Sequence, residues 1–185
     1  MTDRIAIVGA GAMGTLLGAV LNQKGVPADL VDVDRAHIEA LNRNGARVRG
    51  TVELTVPVRA LTPAELEGEY DRIFLLIKQT FNAASFPQLL PHLAPDGVIV
   101  TLQNGMPERV VAAAFGAERT MGCAVTWAAT MEGPGVTVCT AAPSAWHNNL
   151  GRLDGTITEK GREVQEILSH MCVTNLTADL AGIRW

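Results

Sequence analysis

The hydrophobic residues of the chain form short apolar runs, which alternate with longer segments where they recur every three to four residues. Uninterrupted runs are typical of parallel strands buried on both faces, and the spaced segments are typical of amphipathic helices. The predicted strands are residues 5–8, 28–33, 47–49, 73–77 and 98–102, and the predicted helices are residues 12–24, 35–44, 82–93 and 107–115. This alternation predicts an α/β protein with a doubly wound, mostly parallel sheet, in which 47–49 is the third strand.

Other segments depart from this alternation and predict antiparallel strands. Residues 52–58 alternate apolar and polar positions, which predicts a short antiparallel strand that Pro57 and Pro63 would end. Further on, β-rich runs at 121–130 and 135–140 are separated by a Glu-Gly-Pro turn. These two runs predict an antiparallel hairpin added to the edge of the sheet. The remaining elements are a helix marked by Val164, Ile167, Leu168 and Met171, and a strand at 173–176.

A glycine-rich turn joins the first predicted strand to the first helix. Its pattern is G-x-G-x-x-G, formed by Gly9, Ala10, Gly11, Ala12, Met13 and Gly14. In a strand–turn–helix unit, Gly9 permits the tight turn, Gly11 lets the backbone approach a pyrophosphate, and Gly14 allows close packing of helix on strand. The phosphates would lie against the backbone N–H groups at the helix N-terminus.

The glycine pattern alone is weak evidence, because glycine supplies 18 of the 185 residues. The residues that follow the glycine pattern make dinucleotide binding a stronger prediction. Asp32 ends the second predicted strand, 21 positions after Gly11, where dinucleotide-binding sheets place an acid that binds the ribose hydroxyls. Strand, turn, helix, strand and acid together predict a Rossmann-like fold that binds a dinucleotide.

Lys78 follows directly on one predicted strand, and Asn104 comes two positions after the end of the next. Taken singly, Lys78 is typical of a solvated lysine that closes a strand, and Asn104 of an Asn-Gly turn. Both are expected at the carboxyl edge of the sheet, where open α/β sheets bind ligands, and together they predict a crevice with an amine and an amide. Trp127, Trp146 and His147 are instead expected on the surface of an edge strand.

The composition is that of a folded domain and excludes several other classes of protein. Hydrophobic residues make up 48% and charged residues 18%, and the net charge of -4 without a basic cluster argues against binding nucleic acid. The three cysteines include no C-x-x-C pair and the four histidines are scattered, so we expect reduced thiols, no metal site and a cytoplasmic protein. Residues 5–21 are uncharged, but their glycines and short length argue against a signal peptide or a membrane span.

Four segments together resemble the ketopantoate reductase (2-dehydropantoate 2-reductase) family. They are the glycine-rich turn, Ile77-Lys78, the Thr-Leu-Gln-Asn-Gly segment 101–105, and the closing Ile183-Arg184-Trp185. The resemblance implies an N-terminal Rossmann domain at 1–178 and the start of a helical substrate domain at 179–185. It also implies that a nicotinamide cofactor reduces a 2-keto acid, with Lys78 and Asn104 touching cofactor and substrate.

The residues at and just after the end of the second predicted strand leave two nicotinamide cofactors as alternatives. Members of the family commonly use NADPH and place a basic residue just past the second strand, where this chain has Asp32 and Val33. A carboxylate accepts hydrogen bonds from a ribose 2′-hydroxyl and repels a 2′-phosphate, which favours NADH. Arg35 could still bind a phosphate, so NADPH is the alternative.

The resemblance also implies a catalytic lysine just after Trp185, in a helical domain that the sequence does not include. We therefore expect this chain alone to bind dinucleotide weakly and to be inactive, and a small 2-keto acid to be reduced only by the larger enzyme. An exposed domain face could support a homodimer. Two alternatives are another hydroxyacid or opine-type dehydrogenase and a regulatory domain that senses nucleotides.

Overall fold

A computed structural model describes residues 3–184, which form a large sheet of eight strands, a small sheet of four and six α-helices. The strands are β1 (Ile5–Val8), β2 (Ala28–Val31), β3 (Ala46–Gly50), β4 (Leu54–Val56), β5 (Arg59–Leu61), β6 (Tyr70–Leu75), β7 (Leu93–Thr101), β8 (Thr120–Val125), β9 (Ala129–Gly133), β10 (Val136–Cys139), β11 (His147–Gly151) and β12 (Val173–Thr177). The helices are α1 (Ala12–Gln23), α2 (Arg35–Asn44), α3 (Asn82–Leu89), α4 (Glu108–Phe115), α5 (Glu159–Ser169) and α6 (Leu180–Arg184).

The large sheet has the spatial order β5-β2-β1-β6-β7-β8-β11-β12. Its first six strands are parallel, whereas β11 runs antiparallel to β8 and β12 runs parallel to β11. The chain builds outward from β1 through β2 to β5 and then crosses to β6 on the other side of β1. Strand order therefore reverses between β1 and β6, which opens a crevice at their carboxyl ends. This arrangement confirms the predicted doubly wound, Rossmann-like α/β fold.

The small sheet has the order β4-β3-β10-β9 and covers the outer side of α1. Helix α1 thus lies between two sheets, with residues 14–21 all buried. The hydroxyl of Thr137 in β10 reaches the carbonyl oxygen of Ala12 at 3.1 Å. Burial on both sides explains why this helix carries no charged residue, the feature that made it resemble a membrane or signal segment in the sequence.

The prediction that residues 47–49 form the third strand of the Rossmann unit is wrong. They lie in β3, which belongs to the small sheet and pairs there with β4 and β10. The third strand is instead β5, which pairs in parallel with β2. The reason is that Arg47 and Arg49 alternate with apolar residues, a pattern that suits a strand with one face towards solvent rather than a strand buried on both faces.

The predicted antiparallel hairpin exists as β9 and β10, but it lies at the edge of the small sheet rather than the large one. The run 121–130 divides between two sheets, because β8 continues the large sheet and β9 begins the small one. The other predicted elements occur with shifted ends: β6 ends at Leu75, and α3 ends at Leu89 and is followed by a short 3₁₀ turn.

The two tryptophans predicted on an edge surface are buried, so that prediction is wrong for them. Trp127 donates from Nε1 to the Asn148 side chain at 2.8 Å, and Trp146 donates to the Ala141 carbonyl at 3.0 Å. They fill the corner where the chain passes from the large sheet to the small one and back. His147 is exposed, as expected, but it begins β11, which lies between β8 and β12 rather than at an edge and which the sequence did not reveal as an element.

The described chain ends in α6, where Leu180 is buried against the large sheet beside Gly122 and Gly151. The domain boundary at 178/179 remains a prediction, and Trp185 lies outside the described residues. Between residues 3 and 184, no helix is both long enough and apolar enough to cross a membrane. The same range holds no group of three or more histidine, cysteine or acidic side chains that could bind a metal.

Candidate dinucleotide-binding site

The glycine-rich turn lies at the carboxyl end of β1, beside the point where strand order reverses. The N–H groups of Gly9 and Ala10 both donate to the Val31 carbonyl, at 2.8 and 3.0 Å, which ties the turn to β2. Gly9 has a φ of +95°, and a Cβ on it would lie 2.5 Å from the backbone nitrogen of Ile77. The residue must therefore be glycine for both conformational and steric reasons.

The other two glycines of the motif lie in contrasting surroundings. A Cβ on Gly14 would lie 2.1 Å from the carbonyl oxygen of Gly9, so helix α1 approaches the turn as closely as a backbone can. A Cβ on Gly11 would meet nothing within 4 Å. Gly11 therefore leaves space on the open side of the turn that packing inside the protein does not use.

Helix α1 presents its N-terminus to this space. Gly11 is the N-cap residue and supplies no capping side chain, and the first turn contains no acidic residue. The first backbone hydrogen bond at this end joins the Thr15 N–H to the Gly11 carbonyl at 2.8 Å. The N–H groups of the first turn thus point out of the helix end, where the helix dipole favours an anion.

A cleft of about 510 Å³ opens in front of this helix end. One side comes from the turn and the end of β2, and the other from the end of β6 and one face of α3. The lining is mainly apolar, with Asp32 and Lys78 contributing the charged groups. The lining residues are 8, 9, 11–14, 31–33, 63, 76–78, 81, 84, 85, 88 and 89.

Asp32 is half-buried at the end of β2 and faces the cleft. Its Oδ1 accepts the Asp34 N–H at 3.1 Å, which holds the carboxylate beside the start of α2. The next residue, Val33, is 79% exposed. The carboxylate keeps its second oxygen available to a ligand hydroxyl.

Arg35 is exposed at the first position of α2 and does not line the cleft. Its charge acts on Glu65, whose pKa is lowered first by hydrogen bonds from the Thr62 backbone and hydroxyl and to a smaller degree by Arg35. Of Asp32 and Arg35, Asp32 lines the cleft and Arg35 does not.

Lys78 and Asn104 lie on neighbouring strand ends, as the sequence predicts, but they do not line the cleft equally. Lys78 is exposed just past β6 and borders the cleft, whereas Asn104 is exposed past β7 and lies outside its lining. The Gln79 side chain donates to the Asn104 carbonyl and joins the two loops. Ala10 of the motif is also absent from the lining, because it is buried behind the turn.

Gln103 belongs to the segment 101–105 that carries the family resemblance, but sequence reasoning assigned it no role of its own. It is buried, and its Nε2 donates to the Ile77 carbonyl and to the Asn82 side chain, both at 2.7 Å. Its Oε1 accepts the Thr101 hydroxyl at 3.1 Å. This network fixes the ends of β6 and β7 below Lys78 and Asn104. The sequence does indicate such a network, because a glutamine directly after an apolar strand needs polar partners if its side chain is buried.

Comparison with known proteins agrees with this geometry. The family model described as ketopantoate reductase PanE/ApbA matches residues 5–152, which include the turn, Asp32, Lys78 and Asn104. The chain belongs to the ketopantoate reductase family. The resemblance seen in the sequence is thereby confirmed.

Individual members of the family and solved structures give the same result. A 2-dehydropantoate 2-reductase of Streptococcus pyogenes is 30% identical over 170 residues, which cover 89% of this chain and 53% of that protein. The crystal structure of 2-dehydropantoate 2-reductase from Geobacter metallireducens superposes with a TM-score of 0.88 at 30% identity, covering 98% of this chain and 60% of that one. The chain thus spans little more than half the length of these relatives.

A third structure extends the likeness in fold. It is the ternary structure of D-mandelate dehydrogenase with NADH and anilino(oxo)acetate, which superposes with a TM-score of 0.86 at 22% identity. The match covers 96% of this chain and 58% of that one. At this level of identity the likeness shows a shared fold.

Proposed function

We propose that this chain is the nicotinamide-dinucleotide-binding part of an oxidoreductase that reduces a 2-keto acid of the 2-dehydropantoate type. The observation that carries the proposal is the contrast among the three glycines. Gly9 and Gly14 are required by packing inside the protein, whereas Gly11 borders open space in front of an uncapped helix N-terminus. That space suits a pyrophosphate, which needs N–H donors and no Cβ in its way.

The cleft offers a place for each part of the dinucleotide. We propose that the pyrophosphate lies against the turn, that Asp32 accepts from the ribose hydroxyls next to the adenine, and that the apolar lining holds the adenine. Lys78 and Asn104 would lie towards the nicotinamide and substrate end, past β6 and β7. The proposed binding residues are Gly9, Ala10, Gly11, Ala12, Met13, Gly14, Asp32, Arg35, Lys78 and Asn104, of which Arg35 is the alternative contact for a 2′-phosphate.

The surroundings of Asp32 support NADH over NADPH as the preferred cofactor. The carboxylate lines the cleft while Arg35 does not, so a 2′-phosphate there would meet a negative charge before a positive one. The D-mandelate dehydrogenase that shares the fold was likewise solved with NADH. NADPH would require Arg35 to turn towards the cleft.

A nicotinamide cofactor, when bound, supplies a hydride to the keto carbon. The keto oxygen gains negative charge in such a reduction, so a cation or proton donor must lie beside it. We propose that the Lys78 ammonium supports that charge and that the Asn104 amide orients substrate or ribose. The general acid would come from a lysine just after Trp185, in the helical domain that begins at 179, while residues 1–178 form the cofactor domain. A cytoplasmic location and a homodimer remain predictions.

The test is isothermal titration of the chain with NADH and NADPH, for wild type and for Asp32→Ala. We expect wild type to bind NADH more tightly, and the substitution to weaken NADH about tenfold while improving NADPH, since a ribose hydrogen bond and a repulsion are both removed. A preference for NADPH that Asp32→Ala leaves unchanged would overturn the assignment of Asp32. Turnover of 2-dehydropantoate by the 185-residue chain alone would overturn the placement of the general acid.

A further inference from the structure

The buried imidazole of His37 lies directly behind the glycine-rich turn. This side chain is 2% exposed, and its Nε2 lies 2.6 Å from the Ala10 carbonyl oxygen and 3.2 Å from the Thr15 hydroxyl. Its Nδ1 lies 2.9 Å from the backbone nitrogen of Gly135, in the turn between β9 and β10. One ring thus connects the phosphate-binding turn of the large sheet to the hairpin of the small sheet.

The partners of the ring fix its protonation. The Gly135 N–H can only donate, so Nδ1 is the unprotonated acceptor. The Ala10 carbonyl can only accept, so Nε2 carries the proton and donates. His37 is therefore the neutral Nε2–H tautomer, and its two nitrogens have different and separable tasks.

The bond to Ala10 has a geometric consequence for the site. The peptide between Ala10 and Gly11 is trans, so its C=O and N–H point in opposite directions. The carbonyl is drawn inward by His37 and by the Thr15 hydroxyl, which donates to it at 2.7 Å. The Gly11 N–H must then point outward, to the side where Gly11 borders the cleft.

His37 is also linked to the ribose side of the site. Its backbone N–H donates to Asp34 Oδ1 at 3.1 Å, and the Asp34 N–H donates to Asp32 Oδ1 at 3.1 Å. A continuous set of hydrogen bonds therefore runs from Asp32 through Asp34 and His37 to the Ala10 carbonyl. The acid for the ribose and the N–H for the phosphate are held by the same start of α2.

We infer that His37 is a positioning residue, which holds the Ala10–Gly11 peptide with its N–H aimed at the pyrophosphate of a bound dinucleotide. The inference rests on the proposed function for its ligand. The peptide orientation itself concerns the protein without ligand. The role is distinct from folding alone, because the bond from Nε2 sets a donor for the ligand while the bond to Nδ1 anchors the small sheet.

Two substitutions separate these tasks. His37→Gln places an amide nitrogen near the position of Nε2 and can still donate to Ala10, whereas His37→Asn places its amide near Nδ1 and cannot reach Ala10. Asn42→Ala is the matched control, because Asn42 lies on the same helix and bonds to the Ala60 backbone instead. Thr15→Val removes the second donor to the Ala10 carbonyl and serves if His37→Asn does not fold.

The binding experiment compares ADP-ribose, which contains the pyrophosphate, with adenosine, which has none. We expect His37→Asn to weaken ADP-ribose about tenfold and adenosine less than about twofold, while His37→Gln and Asn42→Ala stay within about threefold of wild type for both ligands. Thr15→Val should show the same selective loss of ADP-ribose to a smaller degree. Equal losses for the two ligands, or no loss in His37→Asn and Thr15→Val, would overturn the inference.

A second measurement needs no ligand and distinguishes this inference from the proposed function. The Gly11 amide resonance of the free chain should move in His37→Asn or Thr15→Val, and stay near its wild-type position in His37→Gln and Asn42→Ala. An unmoved Gly11 amide in the first two variants would contradict the inference. If wild type binds neither ligand, the proposed function fails, and the Gly11 amide still decides the role of His37.

Discussion

Gly14 packs so closely on Gly9 that a Cβ at residue 14 would lie 2.1 Å from the Gly9 carbonyl oxygen. This contact is between backbone atoms of β1's exit turn and the first turn of α1, and neither can move without disturbing the crevice. This close packing of Gly14 on Gly9 is a requirement of the fold and not of ligand binding. It distinguishes Gly9 and Gly14, which packing requires, from Gly11, which borders open space.

We predict that Gly14→Ala destabilises the chain by about 2–3 kcal/mol, the usual cost of forcing an extra carbon into a packed site. The measurement is urea unfolding followed by tryptophan fluorescence. Gly133→Ala is the matched control, because a Cβ on Gly133 meets nothing within 4 Å and should change stability by less than about 0.5 kcal/mol. Equal midpoints for Gly14→Ala and wild type would contradict the packing argument.

The network around Gln103 gives a second prediction about stability. Gln103→Leu removes the donors to the Ile77 carbonyl and the Asn82 side chain, and leaves those buried acceptors without this partner. We expect a loss of about 2 kcal/mol in the free energy of unfolding, since unmet buried polar groups each cost about 1–3 kcal/mol.

The control for that variant is Gln79→Ala. Gln79 is exposed and bonds to the Asn104 carbonyl in the neighbouring loop. Its removal should cost less than about 0.5 kcal/mol, because water can replace an exposed partner. If the two variants lose the same stability, burial of the Gln103 network is not what stabilises the strand ends.

Tyr70 gives a prediction about pH. Burial, followed by the hydrogen bond that its hydroxyl donates to Asp29 at 2.8 Å, raises the pKa of Tyr70 from 10.0 to about 12. The folded state thus holds the phenol proton more tightly than the unfolded state. The contribution to stability is complete below pH 10 and is lost as pH rises from 10 towards 12.

The measurement is an ultraviolet titration of tyrosinate, which reports on Tyr70 alone because the chain has one tyrosine. The midpoint should lie near 12 in the folded chain and near 10 in urea. Asp29→Asn should lower the folded midpoint only partly, because burial remains the larger cause. A folded midpoint at the unfolded value would contradict the burial of this hydroxyl.

The sequence predicts local structure well at positions where the backbone geometry or the burial allows only one kind of residue. The turn, the apolar strands β1 and β6, and the helices α1 and α2 follow from glycine geometry and hydrophobic spacing. Asp32 at the end of β2 and Lys78 past β6 follow from the same strand assignments.

What sequence reasoning could not supply is the partner of each strand. β3 and β5 are both short and carry arginines, and only tertiary pairing assigns one to the small sheet and the other to the large sheet. The burial of Trp127 depends likewise on a chain crossing between sheets. The sequence does not indicate the role of His37, because its side chain bonds to backbone groups that are distant along the chain, at Ala10 and Gly135.

On the proposed function, a nicotinamide dinucleotide binds against the turn at Gly11. In Gly11→Val the new Cβ would meet no protein atom within 4 Å, and its two methyl groups would extend into the open space in front of α1. The stability of this variant should therefore stay within about 1 kcal/mol of wild type.

The most direct measurement is isothermal titration of NADH into wild type, Gly11→Val and the control Gly133→Ala. We expect one site in wild type and in Gly133→Ala, and an affinity at least about a hundredfold weaker in a folded Gly11→Val, because the phosphate loses its close approach to the N–H groups. Undiminished NADH binding by folded Gly11→Val, or no NADH or NADPH binding by wild type, would contradict this placement of the dinucleotide.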